Sequence, residues 1–374
     1  MQYVTAIGII GCGFVADLYM GSFRASGMDD PCLVFDHDPA RLERFSAHWS
    51  LKNAATMEGF LEHLPNGALV LNLTNPAAHA AVSTSILEAG LHVYSEKPAA
   101  LEFDEVQALV NLAKSRGLQF ASAPCSVLGE AAQVLFKAVR DGVCGTPRLV
   151  YAELDDGFIP GAPYQDWVSA SGAPWPFEDE FQTGSTLEHA GYYLSWLIAC
   201  FGRVESVVAA NEAVAQLPGE AAADFSCTIL RFANGVTARL TCSIMASHDH
   251  SLRVFGDLGV LQVGEAWNNA ASVTFKSRKK LRRRLIEGPV ARRIRPPGKT
   301  HPKVKRTGAA SMNFALGPME VVDAIGAGRT SRLGGDFALH QAEVTLAILK
   351  SARDGRRISL TSDVSEMEPM PWAR

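Results

Sequence analysis

From residue 4 to about 145 the chain alternates short, β-branched apolar runs with segments whose apolar residues recur at helical spacing. The strand candidates are Val4 to Ile10, Cys32 to Phe35, Ala68 to Leu73, Leu91 to Tyr94 and Leu118 to Ala121. Between them "DPARLERFSAHW", "NPAAHAAVSTSILEAG" and "LEFDEVQALVNLAKSRG" read as helices. Such alternation predicts a parallel sheet covered on both faces, because each crossover helix must lie over the sheet. After "DGVCGTPRL" the texture changes. "ESVVAANEAV", "FSCTILRFANGVTARLTCSI", "SLRVFGDLGVLQVG" and "SVTFK" read as neighbouring strands joined by turns at "ANG" and "GDLG". That predicts a large, mostly antiparallel open sheet, with helices over roughly 185 to 201, 311 to 327 and 336 to 353. Asp336, after the Gly334-Gly335 break, is the expected N-cap of the last of these, which is expected to pack back on the first domain. The fold class is therefore α/β, with a doubly wound domain over residues 1–124 and an α/β domain over 125–374.

Length agrees with two domains, since 374 residues exceed what one core usually serves. With 47% hydrophobic residues both cores can be filled. Lys plus Arg number 35 and Asp plus Glu 39, giving a net charge of −4, which argues against a nucleic-acid binder or a cationic membrane protein. Seven scattered cysteines without a C-x-x-C pair indicate neither a disulfide framework nor a zinc cage, and a reducing cytoplasm is the expected location. The opening "MQYVTAIGIIGCG" has no basic start or cleavage pattern, and no apolar run approaches ~18 residues, so neither signal peptide nor membrane span is expected. Residues 276 to 306 depart from the rest, with fourteen Lys or Arg and one Glu. They read as a solvated loop or hairpin, with an anionic substrate group, partner or neighbouring subunit as alternatives.

The chemistry begins at Gly11-Cys12-Gly13-Phe14-Val15-Ala16, a G-x-G-x-x-A pattern between a strand run and a helical pattern. Gly11 permits the tight turn, Gly13 lets phosphate approach the backbone, and Ala16 keeps helix and strand close. A dinucleotide pyrophosphate would sit at the helix N-terminus, where the N–H groups of residues such as Phe14 and Val15 lack helical partners. Asp36, ending the second strand, is placed to accept hydrogen bonds from a ribose diol and to repel a 2′-phosphate, so NAD is favoured with NADP kept open. Thr74, Asn75 and Pro76, with His79 just beyond, fall at the carboxyl end of the third strand, and Glu96 and Lys97 at that of the fourth. Ligands bind along this edge of such a sheet. His79 has a purely structural alternative.

G-x-G-x-x-A, Asp36, "TNP" and "EKP" together resemble the Gfo/Idh/MocA family of NAD(P)-dependent sugar and polyol dehydrogenases. "GSTLEHAGYYLSWLIACFG" is similar to that family's G-x-x-x-D-x-x-x-H helix, and "GDLGVLQV" and "MNFALGPMEVVDAIGAGRTSRL" extend the likeness over nearly the whole chain. The resemblance implies a Rossmann domain, a second domain supporting the substrate site and a subunit interface, and a homo-oligomer, dimer or tetramer. It also implies that Lys97 stands near the nicotinamide and polarises the carbinol oxygen, with Pro98 fixing the chain after it. The family's Asp and His positions fall on Glu188 and Tyr192, and branches such as the glucose-fructose oxidoreductases look similar in having tyrosine at the second of these. Glu188, His189, Tyr192 and Trp196 share one helical arc, opposite Leu187, Ala190, Leu194, Leu197, Ile198 and Phe201. Tyr192 is the expected acid/base and Glu188 the substrate-hydroxyl holder, with His189 the competing base.

The tryptophans Trp167 and Trp175 of "QDWVSASGAPWPFEDEFQTG" are either sugar-stacking platforms or core. Pro124 and Cys125 are either beside the nicotinamide or simply buried. The expected function is hydride transfer between NAD(P) and a secondary alcohol or ketone of a carbohydrate-like small molecule, with no metal, nucleic acid or membrane involved. A non-catalytic NAD(P)-binding sensor and an NAD-dependent glycoside-cleaving enzyme are the alternatives.

Overall fold

In the computed structural model the described residues are 6–215, 217, 222–265, 267–302, 304 and 308–374. The start of the first strand candidate, Val4 and Thr5, and the end of the basic segment, at Lys303, Lys305 and Arg306, lie outside them. Five strands, β1 (Ile7–Ile10), β2 (Leu33–Phe35), β3 (Leu69–Asn72), β4 (His92–Ser95) and β5 (Phe120–Ser122), form one sheet in the order β2-β1-β3-β4-β5. Every pairing within it is parallel. All four residues of β1, β3 and β4 are buried, as a sheet covered on both faces demands. Gly8 in β1 stays small because Phe60 lies over it, 2.7 Å from where a Cβ would stand.

The helices α1 (Phe14–Ser26), α2 (Pro39–Trp49), α3 (Met57–His63), α4 (His79–Glu88) and α5 (Phe103–Ser115) alternate with these strands. Asp38 caps α2 by accepting from the N–H groups of Ala40 and Arg41, with Pro39 in its first turn. The chain continues through α6 (Glu130–Arg140), β6 (Pro147–Asp155), α7 (Phe177–Thr183), α8 (Ser185–Phe201) and β7 (Val204–Glu212). Next come β8 (Phe225–Phe232), β9 (Thr237–Ser243), β10 (Leu252–Gly256), β11 (Gly259–Val263), β12 (Val273–Leu281), β13 (Arg284–Glu287) and β14 (Arg292–Ile294). It closes with α9 (Leu316–Ala327), α10 (Asp336–Asp354) and β15 (Ile358–Ser359). The second sheet runs β13-β12-β11-β10-β6-β9-β8-β7-β15, with β14 also on β12. Its pairings are antiparallel except for parallel β6 and β9. The doubly wound parallel sheet and the large, mostly antiparallel one are those the pattern predicts.

The chain divides into two compact units, and the division is not contiguous. The first takes Met1–Cys125 together with Ala162–Thr183 and Asn313–Leu346, and the second takes Ser126–Gly161, Gly184–Met312 and Ala347–Arg374. Leu339 and Ala342 of α10 pack on the apolar cluster around Val70, Ile86 and Val93 in the first unit.

Three local expectations are corrected. The helix expected over 311 to 327 starts only at Leu316, because Asn313 turns the chain, its Oδ1 accepting the N–H of Ala315. Asp336 is the first residue of α10 and not a residue ahead of it. Trp196 does not line an open face. It is buried among Phe136 and Tyr193, its Nε1 donating to the Ser126 hydroxyl at 3.0 Å, and most residues of α8 are buried with it. Within the basic segment residues 278–287 form a hairpin, Arg278 opposite Glu287 and Leu281 opposite Arg284.

Candidate active site

In the first unit the sheet order brings the four loops after β1, β2, β3 and β4 into a row along the carboxyl edge. Gly11 has φ +96°, and a Cβ there would stand 2.5 Å from the Leu73 carbonyl oxygen, so only glycine fits. Gly13 differs. Its φ is −79°, a Cβ would meet no protein atom within 4 Å, and no side chain caps α1 behind it. The protein's own packing therefore does not require glycine at 13, and the N–H groups of Phe14 and Val15 open the helix without a capping side chain. This is the cradle an anionic pyrophosphate fits.

Asp36 is buried, and its two oxygens accept the N–H groups of Cys12 and Asp38, each at 2.8 Å. It therefore ties the glycine loop to β2 while keeping lone pairs for a diol. Arg41 approaches it at 3.6 Å. Thr74 donates to Asn72 Oδ1 at 2.7 Å, and Asn75 with Pro76 opens a short 3₁₀ turn, Asn75 itself being exposed. His79 is buried, and its ring nitrogens face the carbonyls of Pro98 at 2.6 Å and Thr74 at 2.9 Å. It thereby joins the loops after β3 and β4. Glu96, also buried, accepts from the Tyr19 hydroxyl at 2.5 Å and from the Lys97 N–H at 3.0 Å. Burial and the Glu96 charge push Tyr19 well above its ordinary value, so it stays a donor. Lys97 is half-buried at the turn this carboxylate fixes, ahead of a cis bond to Pro98. Cys125 is buried and its thiol, pushed up to about 12 chiefly by burial, faces the Asn313 carbonyl at 3.4 Å. Trp167 and Trp175 lie half-buried with centroids 5.1 Å apart in a cluster with Tyr164, Phe177 and Phe181.

In the second unit α8 carries Glu188, which is buried, and His189 and Tyr192, which are partly exposed. Tyr192 meets the ring of Trp267 edge-on at 5.9 Å. His189 pairs through Nδ1 with Oδ2 of Asp156, at the end of β6. The other oxygen of Asp156 receives Nε2 of His250 at 2.7 Å. Nδ1 of His250 reaches Glu265 at 2.9 Å, and the second oxygen of Glu265 receives Nε2 of His248 at 3.0 Å. Five titratable groups thus form one chain, of which sequence reasoning found only His189. "SHDHS" and the "DDG" that ends β6 were the available signals.

Electrostatics follow the pairing. Burial works to raise the Asp156 carboxyl, but His189 and His250 outweigh it and hold the group well below the ordinary carboxylate range. Glu265 is drawn down to about 2 in the same way, against burial, by His250, the Trp267 N–H and His248. His250, despite burial that disfavours its charge, is raised to about 9 by Asp156 and Glu265. Ligand atoms of Asp156, His248 and His250 lie within 4.8 Å of one another, a spacing that admits a cation. Both nitrogens of His250 face carboxylates, however, so both carry hydrogen and neither has a lone pair for a metal. The buried indole Nε1 of Trp267 has no protein partner among the described residues.

A glycine-rich phosphate cradle on a parallel sheet, joined in one chain to a His-carboxylate network on a second sheet, defines a dinucleotide-dependent oxidoreductase. Comparison with known proteins makes this particular. Residues 5–123 match the model of an oxidoreductase family with an NAD-binding Rossmann fold, and residues 132–262 match the GFO/IDH/MocA C-terminal domain. The chain belongs to the Gfo/Idh/MocA family. Trans-1,2-dihydrobenzene-1,2-diol dehydrogenase of Mus musculus is 26% identical over 266 residues, 70% of this chain and 74% of that protein. Among solved structures, levoglucosan dehydrogenase in complex with NADH and levoglucosan superposes with a TM-score of 0.78 at 17% identity, covering 95% of this chain and 99% of that one. The WlbA dehydrogenase of Bordetella pertussis, in complex with NADH and UDP-GlcNAcA, gives 0.71 at 20%, covering 96% and 99%. No helix among the described residues is long and apolar enough to cross a membrane.

Proposed function

We propose that the protein is an NAD-dependent dehydrogenase or reductase acting on a secondary alcohol or ketone of a cyclic, polyhydroxylated molecule, a sugar derivative or cyclic diol. The observation that carries this reading is the pairing of His189 with Asp156 on the helix that the family resemblance marks for the substrate. A histidine whose Nδ1 is engaged by a buried carboxylate is held in the tautomer that presents Nε2 as a base. His189 therefore takes the carbinol proton in oxidation and returns it in reduction. The hydroxyl of Tyr192, which the sequence favours for this role, is given to substrate binding together with Glu188. Support for a polyhydroxylated ligand comes from the ring of Trp267 standing edge-on to Tyr192, an apolar surface beside a hydroxyl.

Lys97 donates a hydrogen bond to the carbinol oxygen and stabilises the negative charge that grows there as the proton leaves. Glu96, by fixing the Lys97 N–H, sets the course of that turn. Gly11, Gly13, Phe14 and Val15 would hold the pyrophosphate, Asp36 the ribose diol, and Thr74, Asn75 and Pro76 the next part of the dinucleotide, with His79 and Glu96 shaping the edge. When bound, NAD supplies the hydride acceptor or donor. The relatives named above, which include a diol dehydrogenase and structures holding levoglucosan and a nucleotide sugar, support the substrate class. We further take the enzyme to be cytoplasmic and a homo-oligomer, in keeping with seven unpaired cysteines and an open sheet.

The test is NADH formation with purified protein across hexoses, anhydrosugars and cyclic vicinal diols, repeated with His189→Gln and Tyr192→Phe. A rate lost in His189→Gln and largely kept in Tyr192→Phe supports the assignment. The reverse pattern returns the proton to Tyr192.

A further inference from the structure

His250 is a buried cation that the hydride chemistry does not itself call for. Its side chain has no exposure to solvent, yet both ring nitrogens face carboxylate oxygens, which only accept, so both must carry hydrogen. The ring is fixed on further sides, against the Trp267 ring at 4.4 Å and the His248 ring at 4.2 Å, while the His250 carbonyl accepts the Tyr193 hydroxyl.

We propose that His250 is a positioning residue of the proton-transfer site: an imidazolium at neutral pH that keeps Asp156 ionised and aimed at His189, while offsetting the charge that would otherwise hold a proton on His189. The proposal rests on the reading of His189 as the proton acceptor. A buried carboxylate beside a histidine orients it, but a full negative charge at that distance also favours the imidazolium, which cannot accept a proton. Asp156 divides its two oxygens between the histidines, so the charge felt by His189 is the one His250 leaves uncancelled. Glu265 holds the far side of His250 and passes the alternation on to His248. Charges run base, anion, cation, anion along the chain.

Other titratable groups face this site. Glu153, Asp155 and Asp156 come from β6 and its end, His248 and Asp249 from the loop before β10, Glu265 from beyond β11, and His189 and Tyr193 from α8. Asp155, raised to about 6 by burial and by Glu153 and Asp249, is the one whose titration overlaps that of an ordinary histidine. It is separated by its own variant.

The experiment needs no substrate. Full-length protein labelled with ¹⁵N in its histidine side chains is titrated by NMR, His250→Gln and His189→Gln assigning the two rings. The wild type should show His250 with both nitrogens protonated at neutral pH. In His250→Gln the His189 ring should stay protonated to a pH at least one unit higher than in the wild type, a tenfold change in its ratio of neutral to protonated ring at a given pH. Asp155→Asn should leave that difference intact. A single-tautomer neutral His250 at pH 7 in the wild type overturns the proposal even if His250→Gln fails to fold. An unmoved His189 titration in a folded variant overturns it too, as does a stoichiometric divalent metal in the wild type that the variant loses. If turnover proves indifferent to His189→Gln while these titrations move as described, the functional reading fails and the electrostatic role of His250 stands.

Discussion

Replacing the two glycines of the phosphate cradle one at a time separates what the fold needs from what the cofactor needs. Gly11→Ala places a methyl group 2.5 Å from the Leu73 oxygen, 2.6 Å from its carbon and 2.8 Å from the Thr74 nitrogen, all backbone atoms that cannot turn aside. It also forces an L residue to φ +96°. The conformation costs about 1–2 kcal/mol and the overpacking about 1–3 kcal/mol more, so a loss of roughly 2–5 kcal/mol is expected. Gly13→Ala is the opposite case. With φ −79° and no protein atom within 4 Å, the methyl is sterically free, and reduced freedom of the unfolded chain leaves stability unchanged or raises it by up to about 1 kcal/mol. The methyl nevertheless occupies the surface on which the pyrophosphate must rest. NAD affinity should fall at least tenfold, about 1.4 kcal/mol. Urea unfolding reports the first quantity and quenching of protein fluorescence on NADH titration the second. Gly13→Ala protein that binds NADH as tightly as the wild type would refute the cradle. Gly11→Ala protein of undiminished stability would refute the packing argument.

Other consequences follow from the same geometry. Lys97→Met should lower kcat by roughly 10²- to 10⁴-fold, the usual range for a lost proton-transfer or polarising partner, with NADH affinity little changed in the same fluorescence titration. Asp36→Ser removes the acceptor for the ribose diol and the negative charge facing a 2′-phosphate, so the ratio of NAD to NADP affinity should drop at least tenfold, read from paired cofactor titrations. The His250 network should give stability a defined pH window. His250, raised from 6.5 to about 9, contributes fully below pH 6.5 and loses its contribution as pH rises through 9. Glu265, lowered from 4.5 to about 2, contributes above pH 4.5 and loses it as pH falls through 2. Urea midpoints should therefore decline from pH 6.5 to 9.5 by an amount corresponding to at most about 3 kcal/mol, and His250→Gln should flatten that decline.

The first sheet was legible in the sequence because its strands are buried on both faces and read as unbroken apolar runs, and because the glycine loop is a local motif whose strand and helix adjoin it. Helix α3 was not legible. It has seven residues, includes Gly59, and buries only Phe60, so it offers too little periodicity to detect. The helical arcs of α8 were read for a helix with one open face, whereas Glu188 and Trp196 of that face are buried, and Tyr193 and Trp196 pack against His250, Ser126 and Phe136. The proton network escaped for a different reason. Asp156 and His250 are 94 positions apart, and only the parallel pairing of β6 with β9 and the antiparallel pairing of β6 with β10 bring their loops to α8. Nothing local to "DDG" or "SHDHS" signals that partnership.

The most direct test of the central claim is a single-turnover measurement of nicotinamide absorbance, in which protein loaded with one equivalent of NAD is mixed with an excess of each alcohol of the panel. The account predicts that at least one cyclic diol or sugar reduces the bound cofactor in the wild type, and that Lys97→Met protein, carrying the same NAD, reduces it at least a hundredfold more slowly. Reduction at equal rates in the two proteins, or bound NAD that stays oxidised in the wild type with every alcohol, would contradict it.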